Sequence, residues 1–165
     1  MRALVQRVLR AHVRFPEGAH PARRYLPPGA SVPPAARSIG RGVVIFLGVG
    51  AADEPPAARR LAEKCAGLRI FSNDSGKFDR SLKDVGGEAL VVSQFTLYGD
   101  CRKGRRPDFA GAMEPERARP LYESFVQALR VLEVPVQTGE FGARMEVELV
   151  NDGPVTLWLE TDSRS

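Results

Sequence analysis

The segment Gly42-Val43-Val44-Ile45-Phe46-Leu47-Gly48-Val49-Gly50 is a continuous apolar run between glycines. Its residues do not alternate with polar ones, and the run is short, so it predicts a strand buried on both faces. A strand of that kind needs a covering layer on each side, and the rest of the chain must supply it. Two amphipathic helices are available. Asp53 can cap the first, with Pro55 or Pro56 in its first turn, and Ala58, Leu61, Ala62, Cys65 and Leu68 fall on one face at helical spacing. Cys65 sits inside that stripe and reads as a core thiol, not a nucleophile. The second helix begins near Pro115, with Leu121, Phe125, Ala128, Leu129 and Leu132 as its face.

Further strands are legible around these elements. From Arg2 to Val13, Leu4, Gln6 and Val8 alternate with Ala3, Val5 and Arg7. Ile70-Phe71 reads as a short strand before the turn Ser72-Asn73-Asp74-Ser75-Gly76. Glu88 to Ser93 predicts a second buried strand that runs straight into Gln94-Phe95-Thr96-Leu97-Tyr98-Gly99, and Val134-Pro135-Val136-Gln137 a short edge strand. Met145, Val147 and Leu149 alternate with Glu146 and Glu148; Asn151-Asp152-Gly153-Pro154 breaks the pattern, and Val155, Leu157 and Leu159 resume it as another strand. Between Phe15 and Ser38 lie Pro16, Pro21, Pro27, Pro28, Pro33 and Pro34, with Arg23, Arg24 and Arg37 among Gly and Ala. That stretch predicts a long loop, either a tolerated surface insertion, which the composition favours, or an arm that touches RNA or a partner. The fold class is α/β: one single-sheet or barrel-like domain over residues 1–165.

Composition narrows the function by exclusion. The chain has 165 residues, 43% hydrophobic and 27% charged, as one globular domain has. No stretch approaches the roughly 18 apolar residues of a membrane helix, and Met1 to Arg7 carries charge where a signal peptide is apolar, so a cytoplasmic location without membrane contact is expected. Two cysteines, Cys65 and Cys101, make no disulfide framework. His12 and His20 are the only histidines, and HExxH, CxxC, GxSxG, Walker A and GxGxxG motifs are all missing. No metal site or cofactor is therefore expected, and neither histidine has the setting of a Ser-His-Asp triad. Catalysis must lean on backbone groups, on Thr, Ser, Gln or Arg, or on the substrate.

Three segments spend polar or special residues beside buried strands. Ser93-Gln94-Phe95-Thr96 puts hydroxyls and an amide at a sheet rim, where freed backbone N–H groups can face an ester carbonyl; strand-end capping is the plainer account. Asn151-Asp152-Gly153-Pro154-Val155-Thr156 carries the Asp-Gly signal of a hairpin, but Pro154 removes a ladder donor where the second strand should start. Arg102, Lys103, Arg105 and Arg106 are four cations within five residues, a phosphate-binding patch or a solvated charge run. The net charge of +4 permits a nucleic-acid partner without demanding one. Phe141 and Met145 can line a pocket or a core face, with the core favoured for Met145, and Asp152 can be a plain turn residue.

These residues resemble the bacterial D-aminoacyl-tRNA deacylases, also called D-tyrosyl-tRNA deacylases. The matching stretches are Met1 to Val8, Val91 to Tyr98, Cys101 to Pro107 and Val147 to Thr156, and the likeness covers nearly the whole chain. It departs at about 16–38, longer than the family's short hairpin. The resemblance implies a mixed, mainly antiparallel, barrel-like sheet with two main helices. It implies a homodimer with two active sites at the interface, an aminoacylated tRNA 3′ end as substrate, and no metal. It makes Gly153-Pro154 a cis dipeptide inserted into the partner's site, Arg7 the residue that orients its carbonyls, and Ser93 to Thr96 the segment that binds the terminal adenosine and ester.

An activated ester needs little more than positioning and oxyanion donors. Thr96 is the natural nucleophile but lacks a visible base; the ribose 2′-OH assisting water, with Gln94, Phe95 and Thr96 positioning, is preferred. Main-chain carbonyls of Gly153 and Pro154 would exclude an L-residue's Cβ, and glycyl-tRNA, having none, is expected to be cleaved too. The other readings are a related deacylase of L-alanyl-tRNA with a trans Gly-Pro, and a non-catalytic tRNA-binding module.

Overall fold

The computed structural model describes residues 1–16 and 36–161. His20, Arg23, Arg24 and the prolines from Pro21 to Pro34 lie outside the described residues. The N-terminal alternation is strand β1 (Arg2–Arg14). Ala3, Val5 and Arg7 are buried on one face, but Val8 is buried too, and Leu9 and Arg10 are exposed. This change of phase lets one strand serve two cores. Ala3 and Val5 join Val43, Ile45 and both helices, while Val8, Ala11 and Val13 join Ile39, Val44, Leu90 and Val92.

Strand β2 (Ala36–Ile39) corrects the end of the predicted loop: Arg37 and Ser38 pair with Val13 and His12. The ladder to β1 overrides the nearby prolines, none of which falls within it. The apolar run is β3 (Gly42–Gly48), buried except at Phe46. Helix α1 (Pro55–Gly67) buries Ala57, Ala58, Leu61, Ala62, Cys65 and Ala66. Burial pushes the Cys65 thiol up to about 12. Pro55 is in the first turn as expected, but the cap position is Glu54, because the Asp53 carboxylate is engaged elsewhere. Strands β4 (Phe71–Ser72) and β5 (Phe78–Arg80) form a small hairpin, and Asn73 Oδ1 accepts from the amides of Ser75 and Lys77 within its turn.

Strand β6 (Glu88–Ser93) runs parallel to β3, and β7 (Val136–Thr138) runs parallel to β6. Helix α2 (Pro115–Val131) crosses between β6 and β7 and buries Ala118, Leu121, Tyr122, Phe125, Val126 and Leu129. Strand β8 (Glu146–Glu160) lies antiparallel to β1 along its whole length. The six strands form one mixed sheet, β2-β1-β3-β6-β7 with β8 beside β1, and two main helices cover one face. No helix among the described residues is long and apolar enough to cross a membrane.

Candidate active site

Parallel strands β3 and β6 end side by side, with Leu47 paired to Ser93. Gln94 N still donates to the Leu47 carbonyl at 2.8 Å, and the chain then turns into a short 3₁₀ helix, Phe95–Tyr98. The expected straight continuation of the strand is thus a helical turn folded over the end of β3. Two glycines make room for it. A Cβ on Gly48 would lie 3.0 Å from the Gln94 carbonyl oxygen, and one on Gly50 would lie 2.6 Å from the Tyr98 hydroxyl. Arg2 fixes the turn by donating to the Leu97 carbonyl at 3.0 Å while stacking over Tyr98 at 4.3 Å. The Tyr98 hydroxyl donates to Asp53 Oδ2 at 3.2 Å, and burial together with that carboxylate raises the phenol above its ordinary pKa. Asp53 also accepts from Gly50 N at 2.6 Å and from the Met1 ammonium at 2.5 Å.

The first residue of this turn, Phe95, lines a cavity of about 660 Å³; Thr96, the next residue, is not among the lining residues. Ser93, Gln94 and Phe95 line it together with Tyr122, Phe141 and Met145. Phe141 and Met145 each also pack against a core cluster, so the pocket and core readings both hold. A Cβ on Gly139 would lie 2.5 Å from Met145 Sδ, so that glycine admits the methionine. Gln94 Nε2 donates to Thr96 Oγ1. The N–H groups of Phe95 and Thr96, at the start of the turn, have no backbone partner among the described residues. Phe95 is 57% exposed and meets Phe109 edge-on at 5.1 Å. His12 stands on β1 against Glu148 at 3.7 Å and does not line the cavity. Among the described residues no three His, Cys, Asp or Glu side chains gather so as to hold a metal ion.

The Asn-Asp-Gly-Pro segment is not a hairpin turn. From Gln6 to Val8, β1 advances two residues while its partners on β8 run from Thr156 to Asn151. Residues 152–155 thus stand opposite the single residue Arg7 and form a large bulge within one continuous strand, with Val155 buried in the core. A hairpin is not needed, because both halves of β8 find the same partner strand. Asn151 Nδ2 closes the base of the bulge, donating to the Arg7 carbonyl at 2.8 Å and the Val155 carbonyl at 3.2 Å. Arg7 Nε donates to the Asp152 carbonyl at 3.2 Å and pairs with its carboxylate at 2.9 Å, while Nη1 donates to the Ile70 carbonyl. Asp152 is therefore a partner of a buried cation, not a plain turn residue. The Phe78 ring lies 5.1 Å from the same guanidinium. Gly153 and Pro154 are exposed at the tip, and the peptide between them is cis.

The basic segment is an exposed loop in which Gly104 adopts positive φ. Its four cations are not equivalent. Arg102 is clamped on Asp100, with Nε at 2.9 and 3.0 Å and Nη2 at 2.6 Å, and this pair holds the Asp100 carboxyl at about 2. Lys103, Arg105 and Arg106 have no salt bridge to a described carboxylate. Sequence reasoning gave no site role to Arg2, Gly48 or Gly50, and took Asp53 as a helix cap and Asn151 as part of a turn. Only the glycines left a signal, as small residues ending an otherwise bulky strand.

The cavity thus carries the Ser93 hydroxyl and the Gln94 amide in its lining, with two open backbone N–H groups at the start of the adjoining turn. The family model described as D-Tyr-tRNA(Tyr) deacylase matches residues 4–160, and the chain belongs to this family, hydrolases of the ester bond in aminoacyl-tRNA. A D-aminoacyl-tRNA deacylase of Thermomicrobium roseum is 60% identical over 124 residues, 75% of this chain and 80% of the relative. One from a Roseiflexus species is 53% identical over 161 residues, covering 98% and 94%. A solved structure titled c-Myc DNA Unwinding Element Binding Protein superposes with a TM-score of 0.81 at 38% identity, covering 98% of this chain and 99% of that one.

Proposed function

We propose that the chain hydrolyses D-aminoacyl-tRNA as a homodimer, each site pairing one subunit's rim with the other's Gly153-Pro154 bulge. The observation that carries this reading is that both features are anchored by arginines of β1. Arg2 anchors the rim and Arg7 the bulge, five residues apart. At about 3.3 Å per residue that is some 17 Å along the strand, and the odd spacing sends the two side chains to opposite faces. A bulge so placed and so firmly tied cannot swing onto its own rim, whereas a second copy can bring one to it.

In this reading the terminal adenosine and its ester occupy the cavity, against Ser93, Gln94, Phe141 and Met145. Water attacks the carbonyl carbon. The N–H groups of Phe95 and Thr96 and the Thr96 hydroxyl stabilise the oxyanion, the vicinal ribose hydroxyl relays the proton, and the C–O bond to the ribose breaks, giving free amino acid and tRNA. Thr96 accepts a hydrogen bond from Gln94 and has no base beside it, which supports positioning over nucleophilic attack. The exposed carbonyls of the partner's Gly153 and Pro154 would meet the Cβ of an L-residue and turn it away, while D-residues and glycine fit. Lys103, Arg105 and Arg106 would meet tRNA phosphates.

The test is hydrolysis of D-Tyr-tRNA, L-Tyr-tRNA and glycyl-tRNA side by side with EDTA present. Rapid loss of the D-ester and the glycyl ester, with the L-ester intact, is expected. Cleavage of the L-ester at a comparable rate defeats the exclusion by carbonyls, and loss of none of them leaves tRNA binding without chemistry.

A further inference from the structure

Part of the cavity wall, residues 141–145, belongs to the connection between β7 and β8, residues 139–145, which holds no strand or helix. Connections of this kind move unless side chains pin them. Here one guanidinium from β2 does so. Arg37 Nη1 donates to the Thr138 carbonyl at 2.7 Å, to Thr138 Oγ1 at 2.9 Å and to the Gly139 carbonyl at 3.1 Å, and Nη2 meets Glu140 Oε2 at 3.3 Å. The guanidinium also lies 5.6 Å from the Phe15 ring. The Arg37 side chain is only 14% exposed and the Glu140 side chain 22%, so these bonds are shielded from water. A planar fork divided among two carbonyls, a hydroxyl and a carboxylate fixes orientation as well as charge. Beyond Glu140, its backbone N–H donates to Met145 Sδ at 3.3 Å. Phe141 lies against Tyr122 at 5.6 Å, with Arg119 5.0 Å from its ring.

We infer that Arg37 is a positioning residue for the substrate: it holds the 139–145 wall so that Phe141 and Met145 close the cavity around the aminoacyl-adenosine end. It touches neither Ser93 nor the 95–98 turn, so it acts on the fit of the substrate and not on the reacting carbonyl. The inference rests on the reading that this cavity holds the ester.

Two readouts on Arg37→Ala and Arg37→Lys test it. Arg144 is an exposed tryptic site within the wall, and Lys103 and Arg105 are tryptic sites outside it. Cleavage after Arg144 is expected to quicken from wild type to Arg37→Lys to Arg37→Ala, with cleavage in the 102–106 loop unchanged. On D-Tyr-tRNA, KM is expected to rise about tenfold in Arg37→Ala with kcat within about twofold, and Arg37→Lys to recover part of the loss, since the wall's contacts are made alike in the ground and transition states. Should Arg37→Ala fold poorly, Glu140→Gln removes the ion pair alone and is expected to show the same changes in weaker form. Unchanged cleavage after Arg144 overturns the tether, and quicker cleavage with unchanged KM overturns the positioning role. A wild-type protein inactive on every ester overturns the deacylase reading and the substrate half of this inference with it, while the cleavage order still reads the tether.

Discussion

The rim at Ser93–Thr96 and the bulge at Gly153-Pro154 are both secured by arginines of β1, yet they are built on different principles. The rim is a short helical turn with open N–H groups, held from outside by Arg2, whose side chain is 29% exposed. The bulge is an outgrowth of a strand, and Arg7, whose side chain is 8% exposed, ties its base to Ile70 and Asp152. The rim keeps donors free for a ligand. The bulge is tied at its base by Arg7 and Asn151 and exposes Gly153 and Pro154 at its tip. In the proposed reading, one receives charge that develops in the reaction and the other refuses a shape. Selectivity and rate should therefore respond to different substitutions.

The largest effect expected is on the rim. Thr96→Ala should lower kcat for D-Tyr-tRNA by about a hundredfold, as loss of one oxyanion donor does, and Thr96→Ser should restore most of it. A loss beyond about ten-thousandfold would instead mark Thr96 as a nucleophile and break the assignment of roles. The bulge responds in selectivity. Gly153 has open space around its would-be Cβ, so Gly153→Ala should leave Tm unmoved while the ratio of D- to L-Tyr-tRNA hydrolysis falls about tenfold. Arg7→Ala should lower that ratio too, and in addition cost about 2 kcal/mol in urea unfolding, because Asp152 and the Ile70 carbonyl lose a charged donor. An unchanged ratio in both variants would remove the bulge from substrate choice.

Smaller changes are expected away from both. Neutralising Arg105 and Arg106 together should raise KM for tRNA and reduce the slope of log KM against log salt by about 1 to 2, with kcat unaffected. Arg102→Ala should do less, since its guanidinium already serves Asp100. The smallest effect concerns Cys65. Its thiol is raised from 9.0 to about 12 by burial, so the neutral form is favoured in the fold. The raised pKa contributes stability that is complete below pH 9.0 and lost as pH rises toward about 12. Alkaline melting above pH 9 should flatten in Cys65→Ala relative to wild type, and a thiol reagent at pH 8 should label exposed Cys101 alone in the native protein.

How much of this was legible varies by element. The apolar run of β3 and the faces of α1 and α2 follow from the period at which side chains meet a core, and the structure agrees except at Leu68 and Leu132, which lie just past the helix ends and are half-buried; β1 alternates as expected only as far as Arg7, where its phase changes. β2 was hidden because prolines a few residues away suggested loop while its partner lies far back in the chain. The Asn-Asp-Gly-Pro segment looked like a turn because its local chemistry is that of a turn. It became a bulge because β1 is long enough to pair with both flanks. Arg37 stood in the sequence as one cation among prolines, and nothing in its neighbours indicated a wall 100 residues onward.

The sequence by itself determined which strands are buried, where the helices lie, and that the polar groups of Ser93 to Thr96 and the Gly153-Pro154 pair stand beside strands. Those properties are local, set by side-chain period, proline and glycine. Only the tertiary structure decided what holds each feature. Gly48 and Gly50 admit the 95–98 turn, Asn151 closes the bulge, and Arg2, Arg7 and Arg37 each reach a carbonyl far away in sequence. Such contacts depend on distances between distant segments, which no pattern along the chain encodes until the sheet brings them together.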